Sequence, residues 1–104
     1  FLFEGRLPDL NLGTANGTSC SPGLQARLEV VLAAQSAYGW VANGRFKGGH
    51  ITRHYGAPAK GIDAVQLELS QRTYMDEHSF AYDEARASRL QPLLRNLLAA
   101  MLDP

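Results

Sequence analysis

One stretch of the sequence gathers residues that could hold a small anion. "RFKGGHITRHYG", residues 45–56, contains three glycines, two arginines, one lysine and two histidines. An arginine side chain binds a carboxylate or a phosphate through two parallel hydrogen bonds, and glycines allow backbone amides to approach a ligand closely. No acidic residue occurs between Glu29 and Asp63, and that window holds four cations, Arg45, Lys47, Arg53 and Lys60. The pattern predicts either an anion site or a solvated surface loop, and composition alone does not choose between them.

Two histidines in the same stretch have a spacing that metal sites use. His50 and His54 are four residues apart, which would place both side chains on one face of a helix. Glycines at 48, 49 and 56 argue against a helix here, and the glutamate of an HExxH zinc motif is absent. We therefore predict no metal site in this chain and interpret one of these histidines as a hydrogen-bonding or ligand-contacting residue.

Glu68 is the candidate for acid–base chemistry. It lies late in a predicted strand, between Leu67 and Leu69, shortly before the chain leaves the sheet. Ligands of open α/β sheets bind beyond the carboxyl ends of strands, and a carboxylate there can pass a proton from water to a leaving group. The alternative is an exposed glutamate on the polar face of an edge strand, which alternation alone would explain.

Capping residues and periodicity predict the elements that would position these side chains. Ser21 as N-cap and Pro22 at the first helical position predict a helix over 22–38, ending before Gly39. "WVANG", residues 40–44, predicts a short strand that ends in an Asn43-Gly44 turn. Residues 1–20 are predicted to form loop and short extended structure, because turn residues recur through them.

A second strand and a final helix follow the basic stretch. In the strand over 63–70, two sets of side chains alternate between opposite faces: Val65, Leu67 and Leu69 on one, Ala64, Gln66, Glu68 and Ser70 on the other. Residues 71–82 predict irregular structure. The last helix carries an apolar stripe, and Pro92 inside it predicts a kink or a restart near Ser88.

Length and charge narrow the possible classes of protein. The chain has 104 residues, enough for one domain, and its ten basic and ten acidic residues cancel to a formal net charge of +0. This balance argues against nucleic acid as a partner, and the absence of a long apolar run argues against a membrane span. The single cysteine, Cys20, cannot form an internal disulfide, so we expect a reducing cytoplasm. The α/β pattern shows few strands and begins at Phe1, which suggests a piece of a longer protein.

Three stretches together resemble the carboxyl-terminal portion of the N-formylglutamate amidohydrolases, also called deformylases. They are "GRLPDLNLGTANGTSC" (5–20), "NGRFKGGHITRHYG" (43–56) and "AVQLELSQRTYMDE" (64–77). The likeness continues through "FAYDEARASRLQPLLRNLL" (80–98) and so covers nearly the whole chain. The resemblance implies an α/β fold, the carboxyl-terminal part of a zinc-carboxypeptidase-like mixed sheet flanked by helices and incomplete in this chain. Residues 1–104 would form a single fragment of an amidohydrolase domain.

The resemblance also implies an activity and a set of roles. The family hydrolyses N-formyl-L-glutamate to glutamate and formate in histidine degradation, with a zinc-bound water and a strand-end glutamate as general base, here Glu68. The substrate is a small dicarboxylate, for which Arg45 and Arg53 would be the cationic partners with Lys47 in support. His54 and Tyr74 are secondary candidates for orienting it. The family's zinc ligands lie upstream of Phe1, so we predict that this chain alone holds no zinc and has no activity. The alternative is a non-catalytic anion-binding or interaction module that uses the basic, glycine-rich loop 43–61.

Overall fold

A computed structural model describes residues 8–76, 78–79 and 81–102 of the chain. Residues 5–7, Glu77 and Phe80, which belong to the stretches that carry the resemblance, lie outside the described residues, as do residues 1–4 and the last two. The elements in chain order are β1 (Leu10–Gly13), α1 (Pro22–Ala33), β2 (Trp40–Ala42), α2 (His50–Tyr55), β3 (Gln66–Leu69), β4 (Met75–Asp76), β5 (Ala81–Tyr82) and α3 (Glu84–Leu102).

The main sheet is mixed and has the strand order β2–β1–β3. β1 runs parallel to β2, to which it is connected through α1, and antiparallel to β3. The predicted mixed sheet with helices is therefore confirmed, whereas the likeness to zinc carboxypeptidases stays a prediction. The central strand is β1, which lies in the region predicted only as loop and short extended structure. All four of its residues are buried, but the strand is only four residues long and lies between the turn residues Pro8-Asp9 and Asn16-Gly17, which indicated loop structure.

The apolar core lies between one face of the sheet and the helices α1 and α3. Leucines from the three elements form it, and partly buried side chains of β2 and β3 pack against them. The core leucines are Leu10 and Leu12 of β1, Leu24, Leu28 and Leu32 of α1, and Leu90, Leu93 and Leu97 of α3. Burial of apolar side chains is worth about 1.5–3 kcal/mol for each residue, so this layer holds the helices on the sheet.

Helix α1 begins as predicted and ends earlier. The hydroxyl of Ser21 accepts a hydrogen bond from the backbone N–H of Leu24, at 3.2 Å, as the N-cap prediction requires. The helix ends at Ala33 and not at residue 38. The side chain of Gln35 explains the early end, because it donates to the carbonyls of Leu32 and Tyr38 and accepts from the Tyr38 N–H. These bonds replace those that further helical turns would have made.

The prediction that glycines prevent a helix around His50 and His54 is wrong. Residues His50–Tyr55 form the short helix α2, with Gly49 at its N-cap position and Gly56 at its C-cap position. The glycines flank the helix and do not interrupt it. Gly48, with φ of 113°, lets the chain turn sharply into the first residue of the helix.

The last helix and the segment before it also differ from expectation. α3 is one continuous helix from Glu84 to Leu102, with Pro92 inside it, so the predicted restart near Ser88 does not occur. Pro92 is exposed, while leucines on either side of it are buried in the core and hold the helix in place. The segment predicted as irregular contains the two-stranded pair β4–β5. No helix in the described parts of the chain is long and apolar enough to cross a membrane.

Candidate functional site

The face of the sheet opposite the core carries polar side chains. The alternation predicted for β3 is confirmed, since Leu67 and Leu69 pack on the core while Gln66 and Glu68 point to the other face. Glu68 lies directly opposite Asn11 of β1 in the antiparallel register. The candidate base therefore sits on a half-buried polar face beside the central strand, and not at a fully exposed position.

Asn11 binds the basic loop, residues 43–61, to this face through Phe46. Its side-chain Nδ2 donates to the carbonyl oxygen of Phe46 at 2.5 Å, and its Oδ1 accepts from the Phe46 N–H at 3.4 Å. Asn11 is buried, at 6% exposure, between two core leucines in sequence. One side chain thus binds both polar groups of a single loop residue, which fixes the backbone between Arg45 and Lys47.

Gln66 makes a second connection between the loop and β3. Its Oε1 accepts from the backbone N–H of Gly49 at 2.7 Å, and its Nε2 donates to Oε1 of Glu68. Gly49 is the residue immediately before α2. The carboxylate of Glu68 and the start of α2 are therefore held by the same amide group.

The loop also approaches the sheet through backbone contact. A Cβ placed on Gly13, the last residue of β1, would lie 2.8 Å from the nitrogen of Gly48 and 3.0 Å from the carbonyl carbon of Lys47. These are backbone atoms, which cannot rotate away as a side chain could. Glycine at position 13 therefore permits the close seating of the loop over the carboxyl end of β1.

A strained asparagine ties together the loops that follow β1 and β2. Asn43 has a φ of 52°, uncommon for a residue other than glycine. Its Oδ1 accepts from the N–H groups of Thr14 at 2.9 Å and Asn16 at 3.2 Å, and its Nδ2 donates to the Thr14 hydroxyl at 2.8 Å. Since β1 and β2 are parallel, their carboxyl ends lie side by side, and these bonds close the gap between the two loops.

The predicted cationic partners lie on this loop and on α2. Arg45 and Lys47 are exposed and flank Phe46, and the ammonium group of Lys47 lies 3.3 Å from the carbonyl oxygen of Gly44. Arg53 is exposed on α2. The three cations thus extend into solvent from backbone segments that Asn11 and Gln66 hold against the polar face.

The two histidines of this stretch are brought together by the helix. Their rings stack with centroids 4.7 Å apart, and the His54 ring also meets Tyr55 edge-on at 4.7 Å. His50 and His54 are both exposed. No group of three or more His, Cys, Asp or Glu that could hold a metal ion occurs among the described residues. The zinc that the resemblance implies therefore has no fitting set of ligands in the part of the chain that the structure describes.

The direction of β3 does not fit the expectation that Glu68 meets the ligand at the carboxyl end of its strand. Because β3 is antiparallel to β1, its carboxyl end lies beside the amino ends of β1 and β2. The Ser70 N–H, for example, donates to the Asp9 carbonyl at 2.9 Å. The carboxyl end of the strand is thus not what brings Glu68 toward the basic loop. The shared polar face and the amide of Gln66 do so instead.

Tyr74 lies beyond that other end of the sheet. It follows a short 3₁₀ turn, Gln71–Thr73, and is half-buried. Its backbone N–H donates to the carbonyl of Gln71 at 3.1 Å, and its carbonyl accepts from the N–H of Asp83 at 2.9 Å. Its role in orienting a substrate stays a prediction.

A groove near the same end is lined by arginines that bind other parts of the chain. Its volume is about 270 Å³, and its lining consists of Asp9, Ala37, Tyr38, Arg72, Thr73, Arg86 and Arg89. Nε of Arg72 lies 2.8 Å from Oδ1 of Asp9, and Nη1 of Arg86 donates to the Met75 carbonyl at 2.6 Å. These guanidinium groups hold different parts of the chain together.

Cys20 is unsuited to nucleophilic chemistry. It is buried, at 1% exposure, and belongs to the apolar core. Burial, with a further contribution from the carboxylate of Asp63, raises the pKa of the Cys20 thiol. The thiolate, which is the reactive form, is therefore disfavoured at neutral pH.

Sequence reasoning missed Asn11, Asn43 and Gln66 as organisers of the site. Each is an uncharged amide side chain, and the only motif among them is the Asn43-Gly44 turn, which predicts backbone shape and not a site. For the other two, the local signals are the position of Asn11 between two leucines and that of Gln66 two residues before Glu68 on the same strand face. Apart from Glu68, their partners lie 17 to 35 residues away in the chain, a separation that a pattern read over short windows does not reach.

The chain matches known proteins along most of its length. The family model for N-formylglutamate amidohydrolase matches residues 1–75. Two curated proteins, the N-formylglutamate deformylases of Pseudomonas aeruginosa and Pseudomonas putida, are 59% and 60% identical to it over 102 residues. These matches cover 97% of this chain and 38% of each relative, so the chain spans well under half the length of the proteins that it resembles.

A solved structure agrees with the fold. The crystal structure of N-formylglutamate amidohydrolase from Ralstonia eutropha JMP134 superposes with a TM-score of 0.74 and 29% sequence identity. The superposition covers 98% of this chain and 35% of that protein. The match of the family model over residues 1–75, the close relatives and the shared fold together show that the chain belongs to the N-formylglutamate amidohydrolase family.

Proposed function

We propose that this chain forms the carboxyl-terminal part of an enzyme that hydrolyses N-formyl-L-glutamate to L-glutamate and formate. The names of its relatives support this reaction class. The observation that carries the proposal for this chain is the joining of Glu68 to the basic loop through the amide of Gln66. That connection sets a carboxylate beside a segment rich in cations, an arrangement suited to a small dicarboxylate whose amide is to be hydrolysed.

In the proposed reaction Glu68 acts as the general base. Its carboxylate accepts a proton from the attacking water as the water oxygen bonds to the formyl carbon. The C–N bond then breaks, and Glu68 gives the proton to the departing amino group of glutamate. The hydroxyl oxygen leaves as part of formic acid, which loses its remaining proton to solvent and becomes formate. A base that takes and returns one proton in this way contributes typically about 10²–10⁴-fold to the rate.

The cations of the loop would hold the two carboxylates of the substrate. Arg45 and Arg53 are proposed as the principal partners, because a guanidinium group matches a carboxylate in two parallel bonds. Lys47 would add a point charge, and His54 would orient the substrate from α2. We retain Tyr74 as a further orienting residue from the other end of β3.

The metal is proposed to lie outside this chain's own residues. The described residues hold no fitting ligand set. Zinc, if the enzyme uses it as the resemblance implies, would be bound by residues preceding Phe1 in the longer protein. This chain would supply the base and the cationic loop, and alone it would be inactive. Turnover of N-formylglutamate by the 104 residues alone would contradict this part of the proposal.

The kinetic test is Glu68→Gln in the full-length protein. The substitution keeps the size of the side chain and one oxygen that can accept from Gln66 but removes the base. We expect kcat to fall by about 10²–10⁴-fold while substrate binding changes little. Glu84→Gln, at an exposed position of α3, is the matched control and should leave both constants unchanged. A Glu68→Gln enzyme with near-normal turnover would remove Glu68 from the mechanism.

Calorimetry and an assay of formate release on the wild-type full-length protein separate the enzyme from the alternative. A non-catalytic anion-binding module built on loop 43–61 would bind glutamate or N-formylglutamate, as measured by calorimetry, without turning either over. Wild-type full-length protein that binds these dicarboxylates and releases no formate would favour that alternative.

A further inference from the structure

We propose that Gln66 is a positioning residue for the hydrolysis, because its single amide group holds both the general base and the substrate-binding loop. The inference rests on the proposed function and deepens it. One end of the amide contacts the carboxylate of Glu68, and the other end contacts the backbone of Gly49. Gln66 touches neither the substrate nor the reacting atoms in this scheme, so its effect passes through these two neighbours.

The two partners determine the orientation of the amide. The backbone N–H of Gly49 can only donate, so it requires the oxygen Oε1 of Gln66, which lies 2.7 Å away. The NH₂ group must then face Glu68, whose ionised carboxylate can only accept. In the opposite orientation the NH₂ group of Gln66 would face the N–H of Gly49, a donor against a donor. Its Oε1 would then face the carboxylate of Glu68, an acceptor against an acceptor. A glutamine is therefore the side chain that satisfies both neighbours at once.

The backbone around Gln66 gives this bridge a rigid base. Gln66 pairs with Gly13 in the sheet, and Glu68 pairs with Asn11. Both side chains leave the same face of β3, two residues apart, and both are half-buried. A bridge anchored on paired strands restricts the carboxylate of Glu68 to a narrow range of positions and fixes the point at which the chain enters α2.

The bridge couples two requirements of the proposed reaction. The base must be held at a particular distance from the attacking water, and a misplacement of about 1 Å can cost about 10²-fold in rate. The loop must present Arg45, Lys47 and, through α2, Arg53 to the substrate carboxylates. Since Gly49 is the N-cap residue immediately before α2, loss of its bond would loosen the cations without changing the side chain of Glu68.

Two substitutions separate these bonds. In Gln66→Glu the new carboxylate still accepts from the Gly49 N–H but, when ionised, cannot donate to Glu68. In Gln66→Met the side chain has a similar length, carries no charge and makes neither bond. Gln91→Met, at an exposed position of α3, controls for the loss of a glutamine as such.

The expected results divide between the two kinetic constants of the full-length enzyme. Gln66→Glu should lower kcat about tenfold or more with KM nearly unchanged, since only the base loses its partner. Gln66→Met should lower kcat similarly and also raise KM by about three- to tenfold, as expected for a lost hydrogen bond. A fall in kcat in the uncharged Gln66→Met variant would show that repulsion between the new carboxylate of Gln66→Glu and the carboxylate of Glu68 is not the cause of the lower kcat.

A measurement independent of activity follows the loop bond. Hydrogen exchange of the Gly49 amide should stay protected in wild type and Gln66→Glu and become faster in Gln66→Met. If kcat and KM of the two Gln66 variants equal those of wild type, the inference is overturned. It is also overturned if the two variants change kcat and KM by equal amounts and lose folded protein to a matching extent. If the wild-type enzyme releases no formate, it is the proposed function that fails, and unprotected Gly49 in wild-type protein would still separately overturn the bridge.

Discussion

The side chains that organise the site are mostly uncharged amides. Asn11 binds both polar groups of Phe46, Asn43 joins the loops after β1 and β2, and Gln66 connects Gly49 to Glu68. An amide offers a donor and an acceptor on one rigid group, so it can satisfy two unlike backbone or side-chain partners. The cations Arg45, Lys47 and Arg53 are exposed, and they lie on backbone segments that Asn11 and Gln66 bind.

The loop cations give a prediction at the scale of single residues. Arg45→Ala and Arg53→Ala should each raise KM of the full-length enzyme by about tenfold or more, because a charge-assisted hydrogen bond is worth about 1.5–3 kcal/mol. The effect should fall mainly on KM if the carboxylates are held equally in the ground and transition states. Lys60→Ala, in the same acid-free window but beyond α2, is the control and should be nearly neutral. Unchanged binding and rate in both arginine variants would show that the loop is not the carboxylate-binding element.

At the scale of elements, the site depends on how closely a loop can approach a strand. The loop after β2 lies over the end of β1 because Gly13 has no side chain, and Gly48 turns the chain into α2 with a φ of 113°. Neither glycine contacts the proposed substrate. Both determine where the cations and Gly49 lie relative to Glu68.

Gly13→Ala tests this approach. The added Cβ would lie 2.8 Å from a backbone nitrogen, so the loop must move away from the sheet. We expect a loss of about 1–3 kcal/mol in the free energy of unfolding, measured with denaturant, and a higher KM. Gly23→Ala is the matched control, since a Cβ there would meet only the end of the Arg27 side chain at 3.7 Å in the first turn of α1. Equal stability of the Gly13→Ala variant and wild type would show that the loop does not need this contact.

At the scale of the whole molecule, one continuous core decides which groups are accessible. Helices α1 and α3 cover the apolar face of the sheet, and Cys20 lies within the same cluster of buried side chains. Its thiol has a raised pKa, chiefly because of burial. Both facts make Cys20 a reporter of unfolding of the domain as a whole.

We therefore expect the Cys20 thiol to react with a disulfide reagent only through unfolding. The reaction should be slow under native conditions at neutral pH and should become rapid in denaturant, and absorbance of the released thiol measures both. Rapid reaction of the native protein would contradict the buried position.

The raised pKa also predicts the pH dependence of stability. A thiol whose pKa is higher in the folded than in the unfolded state favours folding while it is protonated in both. That contribution is lost as the pH rises above the unfolded value, about 8.5. The difference in free energy of unfolding between wild type and Cys20→Ala should therefore shrink between pH 7 and pH 10. A difference that grows over this range would contradict the direction of the shift.

The sequence alone determined features that depend on neighbours within a few residues. The start of α1 at Ser21 and Pro22, the alternation of β3 and the apolar stripe of α3 could all be predicted because capping and periodicity act over one or two turns. Residue types and strand position made Glu68 and the loop cations candidates, and the resemblance to the family, which also came from contiguous motifs, assigned them roles.

Only the tertiary structure decided how these parts meet. β1 could not be recognised as the central strand, because its four residues lie among turn residues and its place in the sheet depends on pairing with β2 and β3. The antiparallel direction of β3 likewise depends on pairing with residues more than 50 positions away. The bridges from Asn11 and Gln66 are long-range hydrogen bonds, and they determine where the loop before the helix at His50–Tyr55 lies. The basic stretch alone could only suggest an anion site. In the structure it lies against the polar face of the sheet, held there by Asn11 and Gln66, and this places its cations on the same side of the sheet as Glu68.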